Sequence, residues 1–369
     1  MRVLIAPDCF GGTLGATEVA EAIAAGWRSG APDDELVLRP LADGGPGFVE
    51  VLHNALGGEL RSASVAGPLG RPVDAVWLDH DGAGYVECAQ ACGLHLVPPA
   101  ERRPVAADTT GVGELVAAAR DARSRTIVVG LGGSASTDGG AGLLRALGAV
   151  PLDAGGEPLP PGGGPLVDCV RLSARPELGA VRLVAASDVE NPLLGEHGAA
   201  RTFGPQKGAD ELTVRRLERS LTRWADVLAE ATGRDVRDQP GAGAAGGLGA
   251  ALLALGATVE SGAGIVRRLT GLDAAMAGVG LVVTGEGSFD WQSLRGKLVT
   301  SVAGAAAERG LPCVVLAGQV SVGRRQAAAA GVERAYAVAE HAGSVHASLA
   351  DPAGTLAALA ENVARQWGG

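Results

Sequence analysis

The apolar positions of this chain switch repeatedly between two periods. Residues 3–6, 35–39 and 126–129 are short aliphatic or β-branched runs that read as buried strands. The first is followed by residues 13–27, where Val19, Ala20, Ile23 and Trp27 recur at helical spacing, and the second by a helical stretch over 48–55. The N-terminus is therefore predicted as β-α-β-α. The last third returns to this alternation. Strands are predicted at 281–283, 313–316 and 334–338, and helices at 299–309, 324–330 and 352–367. Two N-terminal and three C-terminal strands would make a five-stranded parallel sheet.

The middle of the chain has another character. Short runs at 61–65, 73–78 and 84–87 are separated by Gly, Pro and Asp, which predicts an antiparallel or mixed sheet. Helices follow at 110–120, 141–147 and 211–232, with a strand at 181–186 and a turn-rich connection over 151–165. A chain of 369 residues exceeds one average domain. The expected division is one α/β domain from residues 1–60 and 265–369, with residues 61–264 as an inserted α/β domain.

Composition narrows the class of protein. Aromatic residues make up only 3%, so the core must be packed with Ala, Val and Leu. A net charge of −10 with no Lys/Arg cluster excludes a nucleic-acid binder. The first residues enter a strand directly, and no uncharged apolar run reaches membrane-spanning length, so a cytoplasmic protein with no membrane partner is expected. Cys9, Cys88, Cys92, Cys169 and Cys313 read as buried free thiols; Cys88, Cys92 and His95 are too few for a metal site. Of the 31 basic residues only Lys207 and Lys297 are lysines, and both lie in glycine-rich polar motifs. That placement suggests sites where a compact, mobile ammonium is wanted.

The candidate chemistry begins at residues 126–144. A strand leads into Gly130, Gly132, Gly133, Ser134, Ser136 and Asp138, and then into a helix. Strand, glycine turn and helix together can present backbone N–H groups to an anion. Asp138 repels phosphate unless a metal or a transferable proton intervenes; the alternative is a helix N-cap in a tight turn. Asp8, Asp43, Asp188, Glu286 and Asp290 also sit at strand ends or glycine turns. Carboxylates gathered at one sheet edge, facing a phosphate loop, are what magnesium-dependent phosphoryl transfer needs. Residues 284–297 add hydroxyl donors and Lys297 to two of these acids, in a loop after a strand. Residues 241–246 spell G-x-G-x-x-G, but the preceding residues are polar and end in Pro240, so a dinucleotide fingerprint is rejected in favour of a Gly/Ala-rich helix start. No Walker motif is present.

These motifs together resemble the bacterial type I glycerate kinases. The resemblance rests on residues 6–8, 42–45, 132–134 with 138–140, 188–193, 203–208, 241–247, and 284–287 with Gln292, Ser293 and 296–297, nearly end to end. It implies a flavodoxin-like parallel-sheet domain plus a second α/β domain with a mixed sheet, and a site in the cleft. It also implies ATP-dependent, Mg²⁺-assisted phosphorylation of D-glycerate to 2-phosphoglycerate. Catalytic roles are expected for Asp43, Asp138, Asp188, Lys207, Glu286 and Lys297, with Asp188 and Glu286 on the metal. ATP contacts are expected at Gly132, Gly133, Ser134, Gly285, Asp290, Gln292 and Ser293, and a homodimer is the assembly to test. Two positions depart from the family pattern: Gly11 stands where a Lys is usual and Ser288 where an Arg is usual. The alternatives they raise are a kinase of another small hydroxy acid and a catalytically weakened ligand-binding homologue.

Overall fold

The computed structural model describes residues 1–291, 293–294 and 298–369. In chain order its strands are β1 (Arg2–Ile5), β2 (Glu35–Leu38), β3 (Glu59–Ala66), β4 (Pro72–His80) and β5 (Ala83–Glu87). Next come β6 (Thr126–Gly130), β7 (Pro151–Leu152), β8 (Arg171–Leu172) and β9 (Arg182–Ala186). The last are β10 (Thr258–Glu260), β11 (Leu281–Phe289), β12 (Cys313–Val320) and β13 (Arg334–Ala337). The chain divides into two compact units. The first comprises Met1–Asp43, Glu50–Leu56 and Ala263–Gly369; the second comprises Gly44–Val49 and Gly57–Gly262.

The first unit holds a five-stranded sheet in the order β13-β12-β11-β1-β2, with every neighbouring pair parallel. A parallel sheet is covered on both faces, so its strands read as continuous apolar runs. Val3, Ile5, Leu281, Val283, Val314 and Leu316 are buried in this core. The helices Ala16–Gly30 and Pro352–Trp367 contribute Ile23, Trp27, Leu356 and Val363 to it. The order is flavodoxin-like. From β1 the chain moves to one side to form β2, then returns on the other side as β11. The C-terminal ends of β1 and β11 therefore flank the topological switch point, where open α/β sheets bind ligands.

One strand is longer than its sequence suggests. β11 continues past Val283 to Phe289, pairing with β12 as far as Phe289↔Val320, whereas its pairing with β1 ends at Ile5↔Val283. Glu286 and Ser288 thus sit on a strand that projects beyond the end of β1, not in a loop. The glycines at 285 and 287 masked the strand in the sequence. The ladder to β12 overrides their low β-propensity.

The second unit holds a six-stranded mixed sheet, β10-β9-β6-β5-β4-β3. β3, β4 and β5 are antiparallel, while β5, β6, β9 and β10 run parallel. The helix Glu211–Thr232 presents the buried stripe Leu217, Leu221, Trp224 and Leu228 to the core. Asp210 caps it by accepting from the Thr213 N–H at 2.8 Å. β10, and the helices Cys88–Cys92, Ala199–Phe203 and Gly262–Leu269, are not foreseen from the sequence. Each is short, and β10 follows a Gly/Ala-rich stretch with no period of its own.

Candidate active site

Three acids of the first unit come together at the switch point. Asp8 follows β1, Asp43 follows β2, and Glu286 lies on the projecting end of β11. Their charges meet at Asp8. Burial pushes its carboxyl up to about 8, the Asp43 charge adds to that and Glu286 adds less, while hydrogen bonding from Cys9 opposes the rise. The Cys9 N–H donates to Asp8 Oδ1 at 2.7 Å. A buried carboxyl facing two others is held protonated until a cation enters. Asp8 and Glu286 line a cavity of about 500 Å³ together with Asp290, Gly11 and Ser288. Ser293 is buried beneath, with its Oγ donating to the Ser288 carbonyl at 3.2 Å. Gly285 is part of the β11 ladder, and its carbonyl accepts from the Asp8 N–H at 2.8 Å.

The second unit carries the glycine turn after β6. Asp138 is wholly buried there. Its Oδ2 accepts from the Thr109 N–H at 3.0 Å, the Thr109 hydroxyl at 2.8 Å and the Gly142 N–H at 3.0 Å; its Oδ1 accepts from the Gly140 N–H at 3.1 Å. Burial raises its carboxyl, and these donors pull it back down. Asp138 thus ties the turn to the start of the helix Thr110–Asp121. Gly132 has a packing reason: a Cβ there would lie 2.5 Å from Gly45 Cα. A Cβ on Gly133 would likewise meet the Pro46 ring. These glycines admit the Gly44–Val49 segment, a contact that phosphate-loop reasoning from the sequence does not anticipate.

Lys207 is buried under the same turn. Its Nζ donates to Ser134 Oγ at 3.0 Å and to the Ser136 carbonyl at 2.5 Å. Burial lowers its ammonium to about 8, against the opposing pull of Cys92, Cys88 and Asp138. The turn has a further brace in Trp224, whose Nε1 donates to the Gly139 carbonyl at 2.9 Å. The indole sits in the buried stripe of the helix Glu211–Thr232. All five cysteines are free, and all but Cys9 are buried.

A family model described as the glycerate kinase family matches residues 3–368. The chain belongs to the glycerate kinase family. It is 44% identical over 329 residues to an Escherichia coli K12 protein named glycerate 2-kinase, covering 87% of this chain and 86% of that one. It is 39% identical over 368 residues to a Halalkalibacterium halodurans glycerate kinase, covering 98% and 97%. A crystal structure described as a glycerate kinase 2 from Salmonella typhimurium LT2 matches with a TM-score of 0.80 at 38% identity, covering 99% of this chain and 98% of that one.

For a glycerate kinase the remaining expected positions are distributed as follows. Asp188 follows β9 in the second unit, is exposed, and accepts from Ser261 Oγ at 2.5 Å. Gln292 and Lys297 lie outside the described residues. Asp8, counted among the strand-end acids but given no individual role from the sequence, is brought into the carboxylate group of Asp43 and Glu286. Its position directly after β1 was the available signal. Among the described residues no group of three or more His, Cys, Asp or Glu side chains converges as a full metal cage. Mg²⁺ needs only one or two carboxylates beside its phosphate and water ligands, and hard carboxylate oxygens suit it. Asp8 and Glu286, which line one cavity, fit that need.

The buried ammonium of this kinase has a measurable signature. Lys207 loses its proton near pH 8 when folded, while an unfolded lysine keeps it to 10.5. Across that window the unfolded chain binds more protons, so this group makes stability rise with pH. Buried thiols oppose the trend above pH 9 because they stay protonated in the fold. The expected result is that the stability of wild type minus that of Lys207→Met increases between pH 8 and 9 in urea denaturation. A flat difference would mean that Lys207 is not a buried cation.

Proposed function

We propose that the protein transfers the γ-phosphoryl group of ATP to the C2 hydroxyl of D-glycerate, giving 2-phosphoglycerate and ADP, with Mg²⁺ as the metal. The observation that carries this reading is the Asp8, Asp43 and Glu286 group at the switch point of a parallel sheet, opening on a cavity of about 500 Å³. The name of the Escherichia coli relative supports position 2.

Glu286 keeps the metal role expected from the sequence, and Asp8 joins it as a carboxylate that would hold Mg²⁺. Bound there, the ion would neutralise charge on the transferring phosphate. Asp43, on the loop after β2, is the better candidate to orient the glycerate hydroxyl. It would take the hydroxyl proton as the new O–P bond forms and the bond to the ADP oxygen breaks. Asp138 was the alternative for that task, but its two oxygens accept the four hydrogen bonds described above. We assign it to bracing the Ser134–Ser136 turn. Lys207 sustains the same turn, and through it the Ser134 hydroxyl. The metal role expected of Asp188 from the sequence stays a separate proposal.

A second reading is favoured by one observation. Gly11 and Ser288, where the family pattern has Lys and Arg, both line the carboxylate cavity. The loss of two cations there suits a changed hydroxy-acid substrate or a slower enzyme. An ADP-release assay across small hydroxy acids separates the two readings, since D-glycerate should give the highest kcat/KM under the first.

A further inference from the structure

The carboxylate cavity also has an apolar lining. Beside Asp8, Glu286 and Asp290 it is walled by Phe10, Val338, Val345, Leu349 and Pro352. Val345 and Leu349 are spaced i, i+4 on the helix Val345–Ala350, so they share a face. They are 40% and 56% exposed, among the few large apolar side chains left open to solvent in the described residues. Both line the concave surface. A three-carbon acid would leave most of about 500 Å³ empty, and its carboxylate would meet like charge. A nucleoside triphosphate has the complementary chemistry. Its phosphates, with a divalent cation, suit the carboxylates of the lining, and its flat base suits the apolar side chains.

We propose that Phe10, Val338, Val345, Leu349 and Pro352 receive the nucleobase of the phosphoryl donor. The proposal rests on the kinase reading above and adds to it where the base binds. It also bears on specificity. The hydroxyls on this wall are committed to the backbone: Thr13 Oγ1 donates to the Phe10 carbonyl at 2.8 Å, and Ser348 Oγ to the Val345 carbonyl at 2.8 Å. Gln319 is the one described side-chain amide in the lining. A pocket that reads a ligand through apolar contact discriminates weakly, whereas one built on buried hydrogen bonds rejects by several orders of magnitude. ATP and GTP are therefore donors with KM values within about tenfold of each other.

The test uses the full-length protein and measures ADP binding by calorimetry in the presence of Mg²⁺, beside steady-state kinetics with D-glycerate. Leu349→Asn and Val345→Asn replace exposed side chains, and thermal melts confirm their fold. The expected result is a rise of at least tenfold in ADP Kd and ATP KM, with kcat and the glycerate KM within twofold of wild type. An unchanged ADP Kd in folded variants overturns the proposal. So does an effect seen with Leu349→Asp and not with Leu349→Asn, which would reflect long-range charge alone. So does a variant that changes self-association in sedimentation and leaves the ADP Kd alone. Failure of wild type to bind ADP overturns it as well. If wild type binds ADP but does not phosphorylate glycerate, the functional reading fails by itself, and the Kd comparison still decides the pocket.

Discussion

Asp8→Asn is expected to keep the fold and lower kcat/KM for glycerate by about two to three orders of magnitude, the usual range for removing one preorganised charged group. β1 delivers Asp8 into a buried position beside Asp43 and Glu286, and burial first, then the Asp43 charge and less the Glu286 charge, raise the Asp8 carboxyl to about 8. Such a group is unfavourable to the empty protein and useful only when a cation is present. Asparagine keeps the shape and an acceptor for the Cys9 N–H, but removes the charge. The melting temperature without ligand should therefore equal or exceed that of wild type near pH 8, while Mg²⁺-dependent turnover collapses. A coupled assay with a thermal melt as control checks both halves. A loss below tenfold would remove Asp8 from the machinery.

Gly246→Ala is expected to destabilise the protein by roughly 3–5 kcal/mol, the range reserved for substitutions with a definite steric cause. Gly246 has φ +71°, between Ala245 at φ +50° and Gly247 at φ +89°. A Cβ there would collide with the Ser136 carbonyl oxygen and lie 2.9 Å from Lys207 Nζ. The Gly246 carbonyl also accepts from the Gly139 N–H at 3.1 Å. One methyl group would thus force apart the strained turn, the buried ammonium and the glycine loop together. Urea denaturation gives the stability change. A cost under about 1 kcal/mol, the centre of the range for point substitutions in general, would show that the three are not locked together.

These two residues also show what the sequence could and could not reveal. The parallel sheet of the first unit was legible because buried strands are uninterrupted apolar runs, and the helices around it keep a helical period. The strand end carrying Glu286 and Ser288 was not, because glycines at 285 and 287 suppress any local strand signal and only the partner β12 restores it. Asp8 was visible as an acid after a strand, yet its role depends on Asp43 and Glu286, brought together by long-range pairing. Residues 241–247 offered a fingerprint that failed on context. Within them residues 245–247 form a left-handed run, with Gly246 packed against Ser136 and Gly247 against Gly139. The glycine loop at 130–142 was recognised as a turn rich in donors. That Asp138 spends its oxygens on Thr109, Gly140 and Gly142, and that Lys207 lies beneath, could not be read without the packing of the helix Glu211–Thr232.

The most direct test of the account is turnover of D-glycerate by the purified protein with ATP and Mg²⁺, with the product identified by phosphorus and carbon NMR. The account predicts stoichiometric ADP release and a phosphorus coupling at C2 of the three-carbon product. A product phosphorylated at C3 would contradict the assigned position. Absence of turnover with D-glycerate, alongside turnover of another hydroxy acid, would contradict the assigned substrate.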